Sequence, residues 1–365
     1  MIVGAGITGL AIAHFLKELG ARPVVLERTG IGAGASGLQP GGVRQQWGTQ
    51  VNCRLAREAH AFHRDAEERL SARVELGFRE CGYLFLAHSD AVLGRLRANL
   101  AVQHSVGVPS RLLTGTEAAE VVPGLEVEPV AGAAWCPEDG YYDRPQAVVE
   151  AFAVGADVER ADVRALSPDG DGWVVELATG ETIRAEQVAV AAACDTATLL
   201  RPLGVELPIE PESRWLFFGT PIGERLLEPL VVSTERRFAA KQLADGRLLA
   251  SDLSHADEGA TGAALSSIRA VIRELLPRLE YVDFTAPVEG LYDVTPDRQA
   301  ILGRVAGHDG LWVAAGFSGH GFMLAPAVGR ILAEAITGAG EDDALRILDA
   351  GRFAEGRLVP EPQVV

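Results

Sequence analysis

The strongest constraint on the fold is the stretch MIVGAGITGL, which holds the spacing GxGxxG from Gly4 to Gly9. Apolar residues at helical spacing follow it until Gly20, and RPVVLER at residues 22–28 predicts a second strand that ends in an acid. Such glycines permit a tight turn, let backbone N–H groups approach a pyrophosphate and let the helix pack closely on the sheet. The order strand, glycine loop, helix, strand and acid predicts a dinucleotide-binding βαβ unit, in which Glu27 binds a ribose hydroxyl.

A second glycine-rich stretch, GFSGHGFMLAPAVG, spans residues 316–329. It follows the apolar segment Leu311–Ala315 and precedes apolar residues at helical spacing up to Ile336, so the pattern predicts a strand, a glycine turn and a helix. A helix N-terminus stabilises negative charge, and one interpretation is therefore a turn that approaches a flavin or a phosphate. The alternative, an ordinary strand-to-helix connection, stays open from this stretch alone.

Composition and charge narrow the class of protein. The 365-residue chain has 48% hydrophobic residues, which predicts a folded globule of one large or two medium domains. Its net charge is −17 and it has no basic tract, so we expect neither nucleic-acid nor membrane partners. The four cysteines are scattered without a CxxC pair, which predicts no metal site and no disulfide framework and favours a cytoplasmic location.

The rest of the sequence predicts two hairpins and a loose end. Residues 236–252, RRFAAKQLADGRLLASD, predict two strands around the turn Asp245-Gly246. Residues 172–193 predict a similar hairpin around Thr179-Gly180 that leads into a buried strand. The last residues, Val359–Val365, contain two prolines and predict a loose tail.

Together these motifs resemble the FAD-dependent D-amino-acid oxidase superfamily, and within it the sarcosine oxidase and glycine oxidase group. The resemblance covers nearly the whole chain and rests on VGAGITGL, VVLER, GASG, GGVRQQWG, DGYYDRP, LYDVTPDRQAILG and AAGFSGHGF, in the family's order. It implies an α/β fold with a Rossmann-like FAD-binding domain, which contains the βαβ unit and GxGxxG, plus a mixed antiparallel-sheet substrate domain that roofs the flavin. The implied FAD-binding domain is discontinuous, 1–75, 140–205 and 290–365, and the substrate domain comprises 76–139 and 206–289.

The resemblance also implies which residues bind FAD. In this family the terminal glycine turn packs along the flavin, and Val163 matches the position whose backbone meets the adenine. Gly290 stands where monomeric sarcosine oxidases carry the cysteine that bonds to the flavin, so noncovalent FAD is expected. The expected cofactor-binding residues are Gly4, Gly6, Ile7, Thr8, Gly9, Glu27, Arg28, Ala35, Ser36, Gly37, Gly42, Val163, Ala192, Gly316, Gly319, His320, Gly321, Phe322 and Met323.

Four residues are expected at the substrate. The resemblance implies that Arg44 of GGVRQQWG holds the substrate carboxylate, for which a bidentate guanidinium is suited; the alternative is an arginine paired with one of the 50 acids. Tyr292 and His320 are expected to shape the pocket, although a tyrosine at a strand end is often a half-buried packing residue. Met323 replaces a lysine of sarcosine oxidases that joins the carboxylate clamp, which makes that side apolar and favours a bulkier substrate than sarcosine.

Further departures from the family bear on the electron acceptor and the cofactor. Lys241 does not match the family's oxygen-activating lysine, which comes on the following strand, and His255 is the candidate replacement near that position. This favours a dehydrogenase over a fast oxidase, with Lys241 as a structural or substrate-facing residue. Ala193 stands where relatives usually have a glycine beside FAD, which is expected to reduce cofactor affinity.

The expected function is oxidation of the C–N bond of an amino acid or N-alkyl amino acid, by hydride transfer to flavin N5. The alternative is a flavoprotein subunit of a heteromeric amine dehydrogenase, or a degenerate FAD-binding protein, that needs a partner chain. Met323, Ala193 and the short segment before the first glycine loop favour this alternative. A nicotinamide dehydrogenase is a third interpretation, although nothing in the sequence resembles a second nicotinamide fold.

Overall fold

The computed structural model describes residues 1–254, 260–285 and 287–363. The strands, in chain order, are β1 (Ile2–Val3), β2 (Val24–Glu27), β3 (Gly42–Val43), β4 (Phe78–Glu80), β5 (Tyr83–Ala87), β6 (Arg111–Leu113), β7 (Gly132–Cys136), β8 (Gly140–Tyr142), β9 (Asp157–Arg160), β10 (Val163–Asp169), β11 (Gly172–Leu177), β12 (Thr182–Ala185), β13 (Val188–Val190), β14 (Glu210–Phe218), β15 (Leu230–Ser233), β16 (Phe238–Gln242), β17 (Leu248–Asp252), β18 (Val288–Val294), β19 (Ile301–Arg304) and β20 (Leu311–Ala315).

The helices lie between these strands. They are α1 (Ile7–Glu18), α2 (Ala35–Leu38), α3 (Gln50–Arg64), α4 (Ala66–Arg69), α5 (Asp90–Ser105), α6 (Gly115–Val121), α7 (Pro145–Ala153), α8 (Asp195–Leu200), α9 (Thr261–Leu275), α10 (Gly321–Thr337) and α11 (Asp343–Ile347), with 3₁₀ turns at Arg201–Leu203, Pro277–Leu279 and Ala350–Arg352.

The βαβ unit predicted from the glycine motif forms the middle of a six-stranded sheet. The strand order is β19-β20-β13-β1-β2-β9, and the pairs from β20 to β9 are parallel, whereas β19 is antiparallel to β20. Helix α1 connects β1 to the parallel strand β2, which completes a βαβ unit. The Rossmann-like part of the fold prediction is confirmed.

The first strand is short, as the three residues before the motif predict. Strand β1 pairs with β13 on one side and β2 on the other, and both of its side chains are buried. The carbonyl of Met1 also accepts a hydrogen bond of 2.9 Å from the Ala189 N–H. Two residues therefore suffice for a central strand here because both edges are satisfied.

An eight-stranded mixed sheet, which we call the roof sheet, covers the other part of the molecule. Its order is β18-β14-β17-β16-β15-β5-β7-β6, and its pairs are antiparallel except for β15 with β5. Helix α9 packs on the outer face of this sheet through buried aliphatic residues such as Ile268 and Ile272. The predicted mixed antiparallel sheet is therefore present, and the α/β fold class is confirmed.

The predicted hairpins and the strand–turn–helix unit are also present. Strands β16 and β17 flank the Asp245-Gly246 turn, and β11 and β12 flank Thr179-Gly180, with both turn glycines at positive φ. Strand β20 has the predicted bounds, and α10 begins at Gly321. Helices α3 and α4 follow each other directly and meet at Asp65.

The core under the parallel sheet is formed chiefly by α1, α3 and α10. Gly329 of α10 lies against the backbone of Ala11, where an added Cβ would be 2.7 Å from the Ala11 carbonyl carbon. This close approach fixes α10 beside α1, so that the N-termini of the two helices point to the same region. Within the described residues, none of the helices is both long enough and apolar enough to span a membrane.

Candidate active site

A cavity of about 460 Å³ lies between the parallel sheet and the roof sheet. Its wall includes the glycine loop after β1, the residues after β2 and β13, the turn before α10, and strands β14 and β18. Ligands of open α/β sheets bind outside the carboxyl ends of the strands, where this cavity is placed. Its volume falls in the range of about 300–1,000 Å³ that is usual for ligand sites.

We call the part walled by the glycine loop the loop end. Gly4 has φ +106°, and a Cβ at this position would lie 2.4 Å from the carbonyl oxygen of Ala191. A Cβ on Gly9 would lie 2.0 Å from the carbonyl oxygen of Gly4. Both positions therefore exclude any side chain, and Gly9 supports the loop from behind while Gly4 lines the cavity.

The N-terminus of α1 also faces the loop end. Gly6, Ile7 and Thr8 line the cavity, and Gly6 caps the helix without a side-chain hydrogen bond. The first turn contains no acid, and the Ile7 N–H donates to Ser36 Oγ over 3.0 Å. A helix end with N–H groups directed at a cavity stabilises an anion there, as a pyrophosphate requires.

Glu27, at the end of β2, is an ionised acceptor at the same end. Its Oε2 accepts from the Ala5 N–H at 2.9 Å, and its Oε1 accepts from the Thr29 N–H at 2.7 Å and from the N–H of Gly30 at 3.3 Å. Burial opposes ionisation, but these hydrogen bonds together outweigh it and lower the pKa of Glu27. A carboxylate has about four acceptor positions, so Oε2 can also accept from a ribose hydroxyl.

The remaining wall of the loop end is supplied by α2 and by residues after β2, β9 and β13. Arg28 lies here with its guanidinium 2.8 Å from the Asp195 carboxylate, and more than half of each side chain is exposed. Ala193 has φ +49°, a left-handed conformation that a glycine adopts more easily. The other residues predicted at the cofactor that line this end are Ala35, Ser36, Val163 and Ala192.

The other part, which we call the roof end, begins with the turn before α10. Gly319 has φ +89°, and a Cβ there would lie 2.2 Å from the ring of Tyr292. The Gly316 N–H donates to Asp293 Oδ2 over 2.7 Å, and the Ser318 N–H donates to the Asp293 carbonyl over 3.0 Å. The turn is therefore fastened to β18, with Tyr292, Gly319, Gly321 and Phe322 on the cavity wall.

Asp293 is a buried carboxyl group on this wall. Burial raises its pKa to about 6, although backbone N–H groups of the glycine turn favour the ionised form. The carboxyl oxygen faces the turn, so its charge stabilises the arrangement of the N–H groups around it.

The strand register places further side chains on the same side of the roof sheet. Arg214 lies opposite Gly290, and Leu216 lies opposite Ser251, and all four line the cavity. Side chains of a strand alternate between faces, so this inner face of the roof sheet closes the cavity from above. Gly290 leaves open space beside Arg214, since a Cβ there would meet only Leu38, at 3.7 Å.

Arg44 does not lie on the cavity wall. Its guanidinium is buried and donates to the carbonyls of Gln46 and Gln363, the latter over 2.7 Å. It lies 3.7 Å from the centre of a Trp47 ring, a cation–π contact, and 3.5 Å from His320 Nε2. The partners of Arg44 are therefore carbonyls and rings, rather than the acid that the alternative interpretation proposed.

His320 and Met323 lie beneath the wall. The His320 ring packs at 4.5 Å on Trp47, and burial, together with the Arg44 charge, holds its pKa well below the ordinary value. Met323 is buried in the core of α10, and its carbonyl lies 3.3 Å from His63 Nε2. Both residues contribute to the support of the glycine turn rather than to the surface of the cavity.

Three other predicted glycines act as spacers behind the wall. A Cβ on Gly37 would lie 2.5 Å from the Gly32 carbonyl oxygen, one on Gly42 would lie 2.1 Å from the Tyr83 hydroxyl, and one on Gly316 would lie 2.5 Å from the Thr295 methyl. These glycines let backbone segments approach each other closely without lining the cavity themselves.

Lys241 is buried on the inner face of the roof sheet. Its Nζ donates to the Tyr142 carbonyl over 2.7 Å and lies 4.2 Å from the centre of the Tyr141 ring. Burial lowers its pKa to about 7. It does not line the described cavity wall, and His255, the candidate replacement for the oxygen-activating lysine, lies outside the described residues.

The tail is anchored rather than loose, so the sequence prediction is wrong for its described part. Glu361 and Gln363 are buried. Glu361 accepts hydrogen bonds from the N–H groups of Gly48 and Thr49 at the start of α3, at 2.7 and 3.1 Å. The strands and helices alone could not predict this contact, because it joins residues about 310 positions apart.

At the roof end, sequence reasoning missed two charged residues of the wall, Arg214 and Asp293. Both lie on paired strands of the roof sheet, where alternation within β14 and the register with β18 decide which side chains face inward. The segment SRWLFF alternates too weakly to indicate its inner face. Asp293 follows Tyr292 in LYDVTPD, and its proximity to a predicted site residue was the available signal.

The described residues contain no cluster of side chains suited to a metal ion. All four cysteines are free thiols, and burial raises the pKa of Cys53 and Cys194 to about 12 and about 11. Thiols of this kind are poor nucleophiles, and Cys194 is the one of these two that lines the cavity.

A loop end that fits a dinucleotide, joined to a roof end under a second sheet, defines an α/β protein that binds a dinucleotide cofactor. The fit rests on glycines that a Cβ would disrupt, on a helix N-terminus whose first turn contains no acid and on the Glu27 acceptor. Comparison with known proteins agrees: residues 1–335 match the family model described as FAD dependent oxidoreductase. The chain belongs to this family, uses FAD and is an oxidoreductase.

Individual relatives give the same result. Glycine oxidase of Pseudomonas aeruginosa is 30% identical, with 93% of this chain and 94% of the relative covered. The crystal structure of L-proline dehydrogenase from P. horikoshii has a TM-score of 0.91 and 29% identity, with 98% of both chains covered. Glycine oxidase of Geobacillus kaustophilus has a TM-score of 0.86 and 26% identity, with 96% of this chain and 97% of that chain covered.

Proposed function

We propose that this protein oxidises the C–N bond of an amino acid or N-alkyl amino acid. The observation that carries the proposal is one cavity that extends from Glu27 at the loop end to Tyr292 at the roof end. A dinucleotide with its ribose on Glu27 would extend along the cavity toward Tyr292. The similarity to an L-proline dehydrogenase and to glycine oxidases supports amino acids as the substrate class.

The residues of the chain contribute binding and exclusion of water. Glu27 would hold the ribose, the N-terminus of α1 the pyrophosphate, and the turn Gly316–Gly319 would lie along the flavin. FAD supplies the redox chemistry by accepting a hydride at N5. The roof sheet keeps solvent from the reacting C–H bond, which is the protein's main contribution together with orientation. We propose that residues 1–75, 140–205 and 290–365 form the FAD-binding domain and that residues 76–139 and 206–289 form the substrate domain.

The substrate would bind as the neutral amine, with its carboxylate held by a cation. Transfer of a hydride from the carbon beside the nitrogen to the bound flavin would leave a protonated imine (an iminium ion), which water would hydrolyse after release to a carbonyl compound and an amine or ammonia. Arg44 stays the prediction of the family resemblance for the carboxylate partner. To act in this way, it would have to exchange the carbonyls of Gln46 and Gln363 for the substrate.

The test is the anaerobic visible spectrum of the purified protein. A pool of glycine, sarcosine, dimethylglycine, proline, hydroxyproline and D-amino acids is added, and the flavin band is expected to bleach. The pool is then divided to find the substrate, and a dye and oxygen are compared as acceptors. A flavin band that no amino acid bleaches, even with a dye present, would contradict the proposal.

A second candidate is a flavoprotein subunit that needs a partner chain for turnover. Leu38 and Leu291 line the mouth of the cavity and are 39% and 50% exposed, an apolar rim that a partner could cover. Copurification with a second polypeptide, with turnover restored by adding it, would favour this candidate over the first.

A further inference from the structure

The roof end of the cavity contains a cationic side chain that the family resemblance does not indicate. Arg214 is the central residue of β14, and the register pairs it with Gly290 of β18. Glu212 and Leu216 flank it on the same inner face. We propose that Arg214 binds the carboxylate of the amino-acid substrate, an inference that rests on the proposed function.

Burial distinguishes Arg214 from the other arginines of the described wall. Arg28 and Arg164 line the loop end, and their side chains are 57% and 63% exposed, each beside an aspartate. The Arg214 side chain is 12% exposed and lies at the roof end. A charge-assisted bond is stronger where water is excluded, so the buried guanidinium is the better anchor for a small anion.

The contacts of Arg214 orient its guanidinium. Its Nη2 donates to Glu212 Oε2 over 2.8 Å and its Nη1 donates to the Ser213 carbonyl over 3.0 Å. The guanidinium carbon lies 5.2 Å from the centre of the Tyr292 ring, in cation–π range. A guanidinium presents its N–H donors in a rigid fork that matches a carboxylate, so a substrate carboxylate can compete for the oriented guanidinium.

Glu212 does not depend on Arg214 alone. Its Oε2 also accepts from Arg298 Nη1 over 3.1 Å, and Arg298 does not line the cavity. A substrate carboxylate that competes for Arg214 therefore leaves Glu212 with a cationic partner. This lowers the cost of the exchange, because an uncompensated buried carboxylate is avoided.

Arg44 is less suited to the same role in this structure. Its donors are directed to the Gln46 and Gln363 carbonyls, and it lies behind the cavity wall. Removal of a substrate partner and removal of a structural anchor have different signatures. The first changes ligand affinity, whereas the second changes the stability of the fold.

The test uses the flavin-loaded protein and a probe that cannot react. Pyrrole-2-carboxylate has the carboxylate of proline but no α C–H bond, and pyrrole is its matched control without the charge. Binding is measured as a perturbation of the flavin absorption band. We expect Arg214→Met to raise the dissociation constant of the probe about 10-fold to 100-fold, with Arg214→Lys between Arg214→Met and the wild type.

Arg298→Met is the matched control variant. It removes a second described cationic partner of Glu212 without altering the described cavity wall, and the probe should bind it within about 2-fold of the wild type. Pyrrole, which lacks the carboxylate, should bind the wild type and all of these variants with similar dissociation constants. Probe affinity unchanged in Arg214→Met, with a large loss in Arg44→Met at normal stability, would overturn the assignment in favour of Arg44.

Turnover gives a separate readout that distinguishes the two proposals. If the wild type oxidises proline, Arg214→Met should lose kcat/KM for proline and lose little for pyrrolidine, which lacks the carboxylate. If no amino acid reduces the wild-type flavin, the proposed function fails, while the probe titration still decides whether Arg214 is the carboxylate site.

Discussion

The two ends of the cavity differ in which groups of the chain form their walls. At the loop end, backbone groups of Gly4, Gly6 and Ile7 surround the ligand space, and the side chain that matters most, Glu27, is held by backbone N–H groups. At the roof end, side chains from β14, β17 and β18 form the wall opposite the glycine turn before α10. A backbone site tolerates little change in residue size, whereas a side-chain site can change its specificity one residue at a time.

The largest effect is expected from Gly4→Ala, which should destroy the loop end. The new Cβ would lie 2.4 Å from the Ala191 oxygen at φ +106°. We expect a loss of about 3–5 kcal/mol in the free energy of unfolding and no bound flavin, measured by denaturant unfolding and by absorbance. Gly20→Ala is the control, because its φ is +84° with nothing within 4 Å, and it should cost only about 1–2 kcal/mol. Equal losses in the two variants would refute crowding as the cause.

The pH dependence of the free energy of unfolding tests whether Lys241 is buried in the roof sheet. In the folded protein the pKa of Lys241 is about 7, which is below the ordinary lysine value. At a pH between these two pKa values, Lys241 is protonated in the unfolded chain and neutral in the folded chain. Stability from this group therefore rises with pH, by about 1.4 kcal/mol per pH unit above pH 7. The difference in unfolding free energy between the wild type and Lys241→Met should show this slope, with Lys17→Met as the surface control. A difference independent of pH from 7 to 9 would contradict the burial argument.

Glu361→Gln tests the segment that holds Arg44 behind the roof end. The carboxylate accepts from Thr49 Oγ1 over 2.6 Å and from Asn52 Nδ2 over 3.0 Å, besides the backbone N–H groups at the start of α3. We expect a loss of about 2–3 kcal/mol in unfolding free energy, because hydrogen bonds to a buried charge are replaced by weaker ones. Glu355→Gln, which pairs with Arg357 at the surface, should cost about 0–1 kcal/mol. Equal costs would mean that the tail is not anchored through its charge.

The smallest effect is expected from Ala193→Gly at the loop end. Ala193 has φ +49°, and glycine should relieve about 1 kcal/mol of backbone strain and raise the melting temperature. Ala192→Gly has no such strain to relieve and should lose about 0.5–1 kcal/mol. If both variants lose stability, the conformation at Ala193 is not strained.

The loop end could be predicted from the sequence because its determinants are local. Gly4, Gly9 and Glu27 lie within one βαβ unit, and the backbone geometry of that unit favours each of these residue types at its position. The glycine turn of 316–319 was predictable for the same reason. Glycine spacing records backbone geometry directly, so these positions needed no tertiary contact to be recognised.

The roof end could be predicted only as a class of sheet. Arg214 faces inward because β14 pairs with β18 and β17, and such registers join residues about 40 to 80 positions apart. The anchoring of Arg44 by Gln363 is longer in range still. Such contacts depend on the packed fold rather than on local pattern. The role of Arg44 at the substrate carboxylate therefore remains a prediction from family resemblance. The position of Arg214 on the cavity wall could be recognised only in the three-dimensional structure.

The most direct test of the account is a crystal structure of the flavin-loaded protein with pyrrole-2-carboxylate. We expect the ribose of FAD on Glu27, the flavin ring between the turn Gly316–Gly319 and the roof sheet, and the probe's carboxylate on Arg214. A flavin ring outside the roof end, or a carboxylate bound by Arg44 with the Gln363 contact broken, would contradict it.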